Sequence, residues 1–439
     1  MGNALCRRCH EPALDTPAHT HHPADDAGSA CVACHMPPVT FMERDVRRDH
    51  ALTRPDPRRA QAIGAPDACT TCHQDRSVAW AAEQVETWWG TSPAREAQRG
   101  LAVALAAGRA GVPAAAGPLR ALVTARLDPI RRASAVRLLA SWIDEPATQH
   151  TLIGALDDPE ALVRAAAVRT LGEGSIDGDV RVRLVTATRD PRRLVRMEAA
   201  FALRGVDAET LADTDARAAV TRAGAEWLTA QAVLDPLPES HFNRGIYWAA
   251  RGDVPRAEAA YRTATRLWPR DPTPRHNLAQ LLLDGGRAAD AEHEWRALLA
   301  ADPAWPPAAL ALATLVARQE RWDEAVALLD AGLARAPQYP RAAYTLGVVE
   351  RARGRLDAAA AAFERATEDP AARREALREL VRLAHARGDE AAQQRWLPEA
   401  LLADPTVGSD PDVRSALGLP AGPASAMPGA APSAAPGAP

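Results

Sequence analysis

Ala249-Ala-Arg-Gly252-Asp-Val-Pro-Arg-Ala257-Glu-Ala-Ala-Tyr261-Arg-Thr-Ala264 is one copy of a pattern that recurs along the second half of this 439-residue chain. Three series of residues step by 34 positions: Gly252, Gly286, Gly354 and Gly388, with Glu320 in the missing place; Ala257, Ala291 and Ala325; and Pro269, Pro303 and Pro337. In each copy the small residues fall where two helices would touch. The pattern predicts stacked helical hairpins over residues 237–404.

The period, the small residues and the closing proline resemble the tetratricopeptide repeat. Four units are clear, and a fifth around Gly388 is degenerate, as a terminal capping unit would be. The resemblance implies an extended surface that docks a protein or a peptide. The alternative is that these helices only cover the amino-terminal segment.

A second, weaker repeat precedes the first. Three Asp-Pro pairs, at spacings of 30 and 32 residues, each open a run rich in Arg, Ala, Val and Leu: Asp128-Pro129, Asp158-Pro159 and Asp190-Pro191. We expect each Asp to cap a helix and each Pro to take its first position, over residues 130–139, 160–171 and 192–203. The runs resemble HEAT-like repeats of the short, phycobilisome-lyase type, because standard HEAT units are longer, at roughly 40–47 residues.

The first 90 residues hold all six Cys and seven of the twelve His, with too little apolar material for a core of their own. The cysteines form three copies of Cys-x-x-Cys-His: Cys6, Cys9 and His10; Cys31, Cys34 and His35; and Cys69, Cys72 and His73. Positions i, i+3 and i+4 of a helical turn share a face, so two thiols can add to the vinyl groups of a haem while the imidazole binds its iron. The motifs predict three covalently attached c-type haems, which replace a hydrophobic core.

Other uses of paired cysteines are a zinc site, disulfides or a redox dithiol. A His follows the second Cys in all three copies, and no Cys is left over. This regularity favours haem over zinc, and zinc over disulfides.

Each haem iron also has a second axial position. His19, His21, His22 and His50 are the other histidines of the segment, and we predict bis-His ligation by His50 and by at least two of the cluster. The alternative axial ligands are Met36 and Met42, and Met ligands would raise the reduction potentials. Met36 directly follows a proximal His, so it cannot easily reach over the haem that this His binds. The remaining histidines are interpreted as surface or packing residues of repeat helices: His150, His241, His276, His293 and His385.

Several stretches of this segment resemble multihaem cytochromes c that carry carboxy-terminal tetratricopeptide repeats: Pro17-Ala-His19-Thr-His21-His22, Cys34-His35-Met36-Pro37 and Arg47-Arg-Asp-His50. The haem part is similar to the superfamily of cytochrome c nitrite reductase and hydroxylamine oxidoreductase. The resemblance implies that the Cys-His-Met-Pro stretch carries a haem and that His50 is a distal ligand. It also implies further haem motifs upstream, in which case one of the clustered histidines would serve a haem outside this chain.

The resemblance raises two functions, an electron carrier and an oxidoreductase acting on a small nitrogen or sulfur compound. An enzyme needs one iron with an open position. In the nitrite reductases the active haem is held by a Lys, and this chain has none; hydroxylamine oxidoreductases bond a Tyr to theirs, and all four Tyr here lie in the 34-residue repeats. We therefore expect electron transfer to a redox partner protein rather than catalysis. A scaffold that the haem segment only anchors is the third possibility.

Composition agrees with a mainly α protein, because 47% of residues are hydrophobic but only 4% are aromatic, and the apolar residues are largely Ala, Leu and Val. The net charge of −4 argues against nucleic acid as a partner, and no apolar run of about 18 residues predicts a membrane span. The first residues lack the features of a signal peptide. Because c-type haems are normally attached outside the cytoplasmic membrane, we expect a periplasmic or extracytoplasmic protein, and the chain is either the downstream part of a longer precursor or one with a misplaced start.

The predicted organisation is a small haem-organised segment followed by an α-solenoid of HEAT-like and tetratricopeptide hairpins. Its parts are a triple-haem segment over residues 1–90, HEAT-like repeats over 91–236, tetratricopeptide repeats over 237–404 and a disordered tail rich in Pro and Ala over 405–439.

Overall fold

The computed structural model describes residues 3–50, 52, 54–337, 339–369 and 371–404, and almost all of its regular structure is helical. The prediction of a mainly α fold is confirmed. The chain divides into two compact units between Trp227 and Leu228. The predicted tail, residues 405–439, lies outside the described residues.

The amino-terminal part of the first unit consists of short elements. Its helices are α1 Pro17–Thr20, α2 Cys31–His35, α3 Pro57–Ile63 and α4 Val78–Trp89, and its short 3-10 turns are Cys6–Arg8, Pro12–Leu14 and Ala27–Ser29. An antiparallel hairpin of β1 Pro38–Phe41 and β2 Asp45–Arg48 pairs Pro38 with Arg48 and Phe41 with Asp45, with its side chains exposed. Among the described residues before Val78, Ala60 is the sole hydrophobic side chain in the core. The segment therefore has almost no apolar core of its own.

The helices that follow are α5 Pro93–Arg109, α6 Ala116–Thr124, α7 Pro129–Leu138, α8 Pro146–Ala155, α9 Ala161–Leu171, α10 Gly178–Ala187, α11 Arg193–Ala202 and α12 Thr214–Val233, and the boundary between the two units falls within α12. They surround a continuous apolar core whose largest fully buried side chains are Leu119, Leu139, Leu152, Leu171, Leu184 and Leu203.

A buried ion pair joins α5 to the loop before α3. The Arg99 guanidinium donates to both carboxylate oxygens of Asp56 at 3.0–3.1 Å and also contacts Glu86 and Glu96. Asp56 in turn caps α3 by accepting the Arg59 N–H at 3.1 Å. Because both partners are buried, this network ties the cysteine-rich segment to the helices that follow it.

The prediction that Asp caps each HEAT-like helix with Pro at its first position holds at one place. The Asp128 carboxylate accepts the Arg131 N–H at 3.0 Å, and α7 begins at Pro129. After the other two Asp-Pro pairs the prediction is wrong, because α9 and α11 begin only at residues 161 and 193. At both places the Asp carboxylate accepts the backbone N–H of the residue two positions later in the chain. It also forms an ion pair with an Arg of the preceding repeat.

The arginines that bond the next repeat form a series of ion pairs along the first unit, which we call the arginine ladder. Arg132 pairs with Asp158, Arg164 pairs with Asp190 at 2.8 and 3.0 Å, and Arg196 pairs with Glu226 at 2.8 and 2.9 Å. Arg164 and Arg196 also donate to the backbone carbonyls of Asp158 and Asp190. The first two pairs therefore fix one hairpin to the start of the next, and the third joins α11 to α12 at Glu226.

The described residues of the second unit form five helical hairpins. These are α13 Pro238–Ala250 with α14 Val254–Leu267, α15 Thr273–Asp284 with α16 Ala288–Ala301, α17 Pro306–Arg318 with α18 Trp322–Arg335, α19 Pro340–Ala352 with α20 Leu356–Ala366, and α21 Arg373–Ala386 with α22 Glu390–Ala403. The residues of the glycine series, which step by 34 positions, make the turn inside each hairpin. Gly252, Gly286, Gly354 and Gly388 have φ of 64–75°, and Glu320 takes the same left-handed conformation at 59°. A residue with a Cβ is strained there.

Two glycines allow close contact between the helices of a hairpin. A Cβ added to Gly245 would lie 2.4 Å from the Tyr261 ring, and one added to Gly347 would lie 2.6 Å from the Phe363 ring. Both rings are buried. These positions are 102 residues apart, which is three repeat periods, so the same contact is made in two hairpins.

Candidate functional site

The three Cys-x-x-Cys-His motifs adopt the same backbone turn. The His10 N–H donates to the Cys6 carbonyl at 3.0 Å, and the His73 N–H donates to the Cys69 carbonyl at 2.9 Å. The middle motif, Cys31–His35, is helix α2 itself. Each turn therefore brings two thiols and one imidazole to the same side of the backbone.

The middle turn adjoins both others. The Cys31 thiol is in hydrogen-bonding contact with Cys6, whereas Cys34 lies close to Cys69 and Cys72. All six cysteines lie in the described residues, and none of them forms a disulfide. The sequence named these residues but gave no reason to expect their motifs to be neighbours.

Polar side chains fix the turns in place. Asn3 accepts the Cys31 N–H at 2.9 Å and donates to the Ser29 carbonyl at 3.1 Å, which ties the start of the first motif to the second. The Asp67 carboxylate accepts the N–H groups of Cys69 and Thr70 at 2.9 and 3.1 Å. Asp67 is thus an amino-terminal cap of the third turn.

Three of the thiols have a pKa above the ordinary value of a cysteine. Burial raises the pKa of the Cys31 thiol, and the neighbouring Cys6 raises it further. Burial raises the pKa of Cys34 in the same way, and burial together with the nearby Asp67 carboxylate raises the pKa of Cys69 to about 12. A thiolate in any of these positions would lose solvation on burial.

Two of the predicted distal histidines lie opposite proximal ones. The ring centres of His19 and His35 are 6.4 Å apart, with an angle of 7° between the ring planes. Those of His22 and His73 are 6.0 Å apart, with an angle of 34°. All four imidazoles are half-buried. Burial lowers the pKa of His19, and the neighbouring imidazoles lower it further, which favours the neutral form that binds metals.

The other predicted ligands are placed differently. His21 stacks on Trp88, with ring centres 3.9 Å apart and planes within 6°. His50 is exposed after β2, and within the described residues neither His50 nor His10 has a ring contact with another imidazole. Met36 ends α2, and Met42 is 77% exposed at the tip of the hairpin. The assignment of His50 as a distal ligand stays a prediction.

Sequence reasoning missed an aromatic face provided by α4. Trp80 lies 5.1 Å from the His73 ring, Trp88 stacks on His21, and Trp89 lies 6.1 Å from the His19 ring, measured between ring centres. The signal was available, because three Trp within ten residues directly follow the third motif in a chain with few aromatics. They provide flat apolar surface beside the cysteine turns.

A zinc site is the main alternative use of these residues, and it requires about four converging ligands. Within the described part of the chain, no group of three or more His, Cys, Asp or Glu side chains is placed to hold a metal ion.

The second unit has a cleft of about 430 Å³ between α13, α14 and α15. Its walls include the buried Tyr261 and the polar side chains of Asn277, Gln280 and Asp284. His276 also borders it, and its Nδ1 accepts the indole N–H of Trp295 at 3.1 Å. Because a burial-lowered pKa keeps His276 neutral, this nitrogen can accept the hydrogen bond.

Comparison with protein families identifies both repeats. Residues 214–272, 276–340 and 310–373 match the tetratricopeptide repeat, and residues 125–204 match HEAT repeats. The chain therefore carries both kinds of helical repeat, which are scaffolds for protein–protein interaction. None of the curated proteins searched matches the sequence. Within the described residues, no helix combines the length and apolar composition needed to cross a bilayer.

Solved structures similar to this chain include a MamA protein, with 19% identity over 39% of this chain and 94% of that one and a TM-score of 0.35. PilW, a type IV pilus biogenesis factor, is 20% identical over 52% of this chain and 99% of its own, with a TM-score of 0.36. Human IFIT1 is 18% identical over 67% of this chain and 73% of its own, with a TM-score of 0.33.

Proposed function

We propose that this protein is a multihaem c-type cytochrome that transfers electrons, with its helical repeats docking a protein partner. The observation that carries the proposal is the set of three Cys-x-x-Cys-His motifs, each in the same helical turn. In each turn the two cysteines would form thioethers and the histidine would be the proximal iron ligand. The attachment residues are Cys6, Cys9, Cys31, Cys34, Cys69 and Cys72, with His10, His35 and His73 as proximal ligands.

The residues present fit three haems. The segment has almost no apolar core, so a large apolar ring has no side-chain core to displace. Trp80, Trp88 and Trp89 offer aromatic surface beside the turns, and imidazoles lie opposite His35 and His73. These features are what a covalently held haem needs from a short polypeptide: attachment, an apolar wall and axial ligands.

The arrangement of three neighbouring attachment sites favours electron transfer over chemistry at one isolated haem. A haem iron supplies one-electron chemistry, and the protein sets its potential through axial ligands and burial. The middle turn, Cys31–His35, lies beside the first turn at Cys31 and near the third at Cys34. A row of neighbouring attachment sites is the layout expected of a carrier that receives electrons at one end and releases them at the other.

The repeats supply the partner surface. Tetratricopeptide hairpins present a continuous helical face to a protein or peptide, and the cleft beside Asn277, Gln280 and Asp284 provides polar groups on such a face. A redox protein held there would be tethered to the same polypeptide that carries the haems. Because thioether haems are made outside the cytoplasmic membrane, the proposed location is periplasmic or extracytoplasmic.

Haem content tests the proposal directly. The protein, produced with a cytochrome c maturation system, should retain three haems per chain after acid–acetone extraction, measured as the pyridine haemochrome and by intact mass. The Cys31→Ala/Cys34→Ala variant should hold two, whereas His150→Ala, at an exposed site in a repeat helix, should keep all three. A protein with no haem and about one bound zinc by elemental analysis would overturn the proposal.

A further inference from the structure

We infer that His19 is the second axial ligand of the iron held by His35, that His22 is the second ligand of the iron held by His73, and that His21 binds no iron. The assignment rests on the proposed function. It selects, from three clustered histidines, the two that reach a haem, and gives each one a particular haem.

The ring separations carry the assignment. A bond between imidazole nitrogen and a first-row metal is about 2 Å, and that nitrogen lies roughly 1 Å from the ring centre, so two imidazoles on one iron have centres roughly 6 Å apart. The observed separations are 6.4 Å for His19 with His35 and 6.0 Å for His22 with His73. Rotation about each iron–nitrogen bond leaves the angle between ring planes free, so 7° and 34° are both compatible.

The His22 ring is prepared as a ligand. Its Nδ1 lies 2.7 Å from the Thr20 carbonyl oxygen, and because a carbonyl only accepts, Nδ1 must carry the proton. The lone pair is then on Nε2. A hydrogen bond of this kind fixes the tautomer and orientation of metal-bound histidines. Gly28 leaves room for the ring, since a Cβ there would lie 2.4 Å from it.

His21 shows the contrasting geometry. It ends α1 in the left-handed conformation, with φ of 57°, which turns the chain between the two proposed ligands. Its ring stacks on Trp88 at 3.9 Å and lies edge-on to Trp89, and within the described residues no proximal imidazole lies opposite it. It is exposed, whereas His19 and His22 are half-buried.

In this assignment, α1 and the turn after it supply one axial ligand to each of two haems. His19 and His22 are three residues apart but face two different attachment turns, at Cys31–His35 and at residues 69–73. The left-handed residue between them separates the two directions. One short segment would therefore fix the position of two irons relative to each other.

Three single variants of the haem-loaded protein test the pairing: His19→Ala, His22→Ala and His21→Ala. Each should keep three haems by the pyridine haemochrome assay. His19→Ala and His22→Ala should each add about one high-spin iron per chain, seen in the oxidised spectrum and as one added equivalent of carbon monoxide bound after reduction. The His19→Ala/His22→Ala variant should add two equivalents, and His21→Ala should add none.

Outcomes that overturn the pairing differ from those that overturn the haem proposal. A wild-type protein without haem defeats the proposed function. Three haems with no new carbon monoxide site in His19→Ala or His22→Ala, or a new site in His21→Ala, defeats the pairing alone. If an Ala variant does not accumulate, His19→Met and His22→Met replace it; each should keep three low-spin haems and raise one reduction potential in a redox titration. Unchanged potentials would refute the assignment.

Discussion

The contact between Gly347 and Phe363 gives the sharpest prediction about the repeat fold. A Cβ at residue 347 would lie 2.6 Å from the Phe363 ring, which is fully buried. We therefore expect Gly347→Ala to strain the hairpin of α19 and α20. Gly332→Ala in α18 is the matched control, because its Cβ would meet Ala309 at 3.4 Å, an ordinary contact.

The magnitude follows from two opposing effects. Replacing Gly by Ala inside a helix stabilises by about 1 kcal/mol, and this gain applies to both variants. Overpacking a filled core costs about 1–3 kcal/mol, and this loss applies only at residue 347. Gly332→Ala should raise the free energy of unfolding by about 1 kcal/mol, or by roughly 2–4 °C in Tm. Gly347→Ala should be less stable than Gly332→Ala by about 1–3 kcal/mol.

The protein itself supplies the compensating change. One repeat earlier, the positions equivalent to 347 and 363 are occupied by Ala313 and Leu329, both buried. Phe363→Leu should therefore accept Ala at residue 347, so that in its background Gly347→Ala stabilises by about 1 kcal/mol. The coupling between the two sites should be about 1–3 kcal/mol.

Urea denaturation followed by far-ultraviolet circular dichroism, on a fragment of residues 228–404, measures these values. The wild-type fragment should be helical and unfold cooperatively without haem, because its hairpins bury one continuous core among themselves. If Gly347→Ala stabilises the fragment as much as Gly332→Ala does, the ring contact imposes no strain and the reasoning is wrong.

Three further predictions concern the turn, the buried ion pair and a titrating side chain. Glu320→Gly should stabilise the second unit by about 1 kcal/mol in urea denaturation, because Glu320 has a left-handed backbone. Asp56→Ala should destabilise the first unit by about 3 kcal/mol, measured by thermal denaturation, because it leaves the buried Arg99 without its bidentate partner. Burial lowers the pKa of His276 from its ordinary 6.5; its contribution to stability is therefore present above about pH 6.5 and is lost as the pH falls below that value. His276→Asn, which can still accept from Trp295 but does not titrate, should reduce the loss of fragment stability between about pH 7 and pH 5.

Each of these has a control and a contrary result. Gly354→Ala should destabilise where Glu320→Gly stabilises, and equal effects would show that the turn does not select glycine. Asp75→Ala removes an exposed ion pair and should change stability by less than about 0.5 kcal/mol. A pH profile that is the same with and without His276 would mean that this side chain titrates normally in the fold.

Local patterns in the sequence predicted most of the repeat fold. The glycine series with a period of 34 could be recognised because a left-handed turn is a local requirement that glycine meets without strain. Glu320 was assigned to this series from its position alone. The same local logic worked for Asp128, which caps α7. It failed for Asp158 and Asp190, because an arginine of the preceding repeat bonds each carboxylate, and that partner is 26 residues away.

The sequence predicts the chemistry of the cysteine-rich segment but not its arrangement. The motif spacing predicts the attachment residues, since it depends on a single turn of backbone, and that assignment stays a prediction. Which histidine lies opposite which depends on how α1, α2 and the third turn pack, and no periodicity encodes that. The aromatic face of α4 was missed for the same reason, because Trp80, Trp88 and Trp89 read as ordinary helix residues until their neighbours are known.

The arginine ladder of the first unit has a consequence for how such a gene can change length. Arg132, Arg164 and Arg196 are 32 residues apart, and so are Asp158 and Asp190. Deleting 32 codons would place Arg132 opposite the next aspartate in the series. Duplicating them would add one ion pair that consists of an arginine and a carboxylate. Unequal recombination in this register thus leaves none of these half-buried arginines without a carboxylate. Any other register leaves one unpaired, so selection for folded protein would keep the unit length constant while the number of units varies.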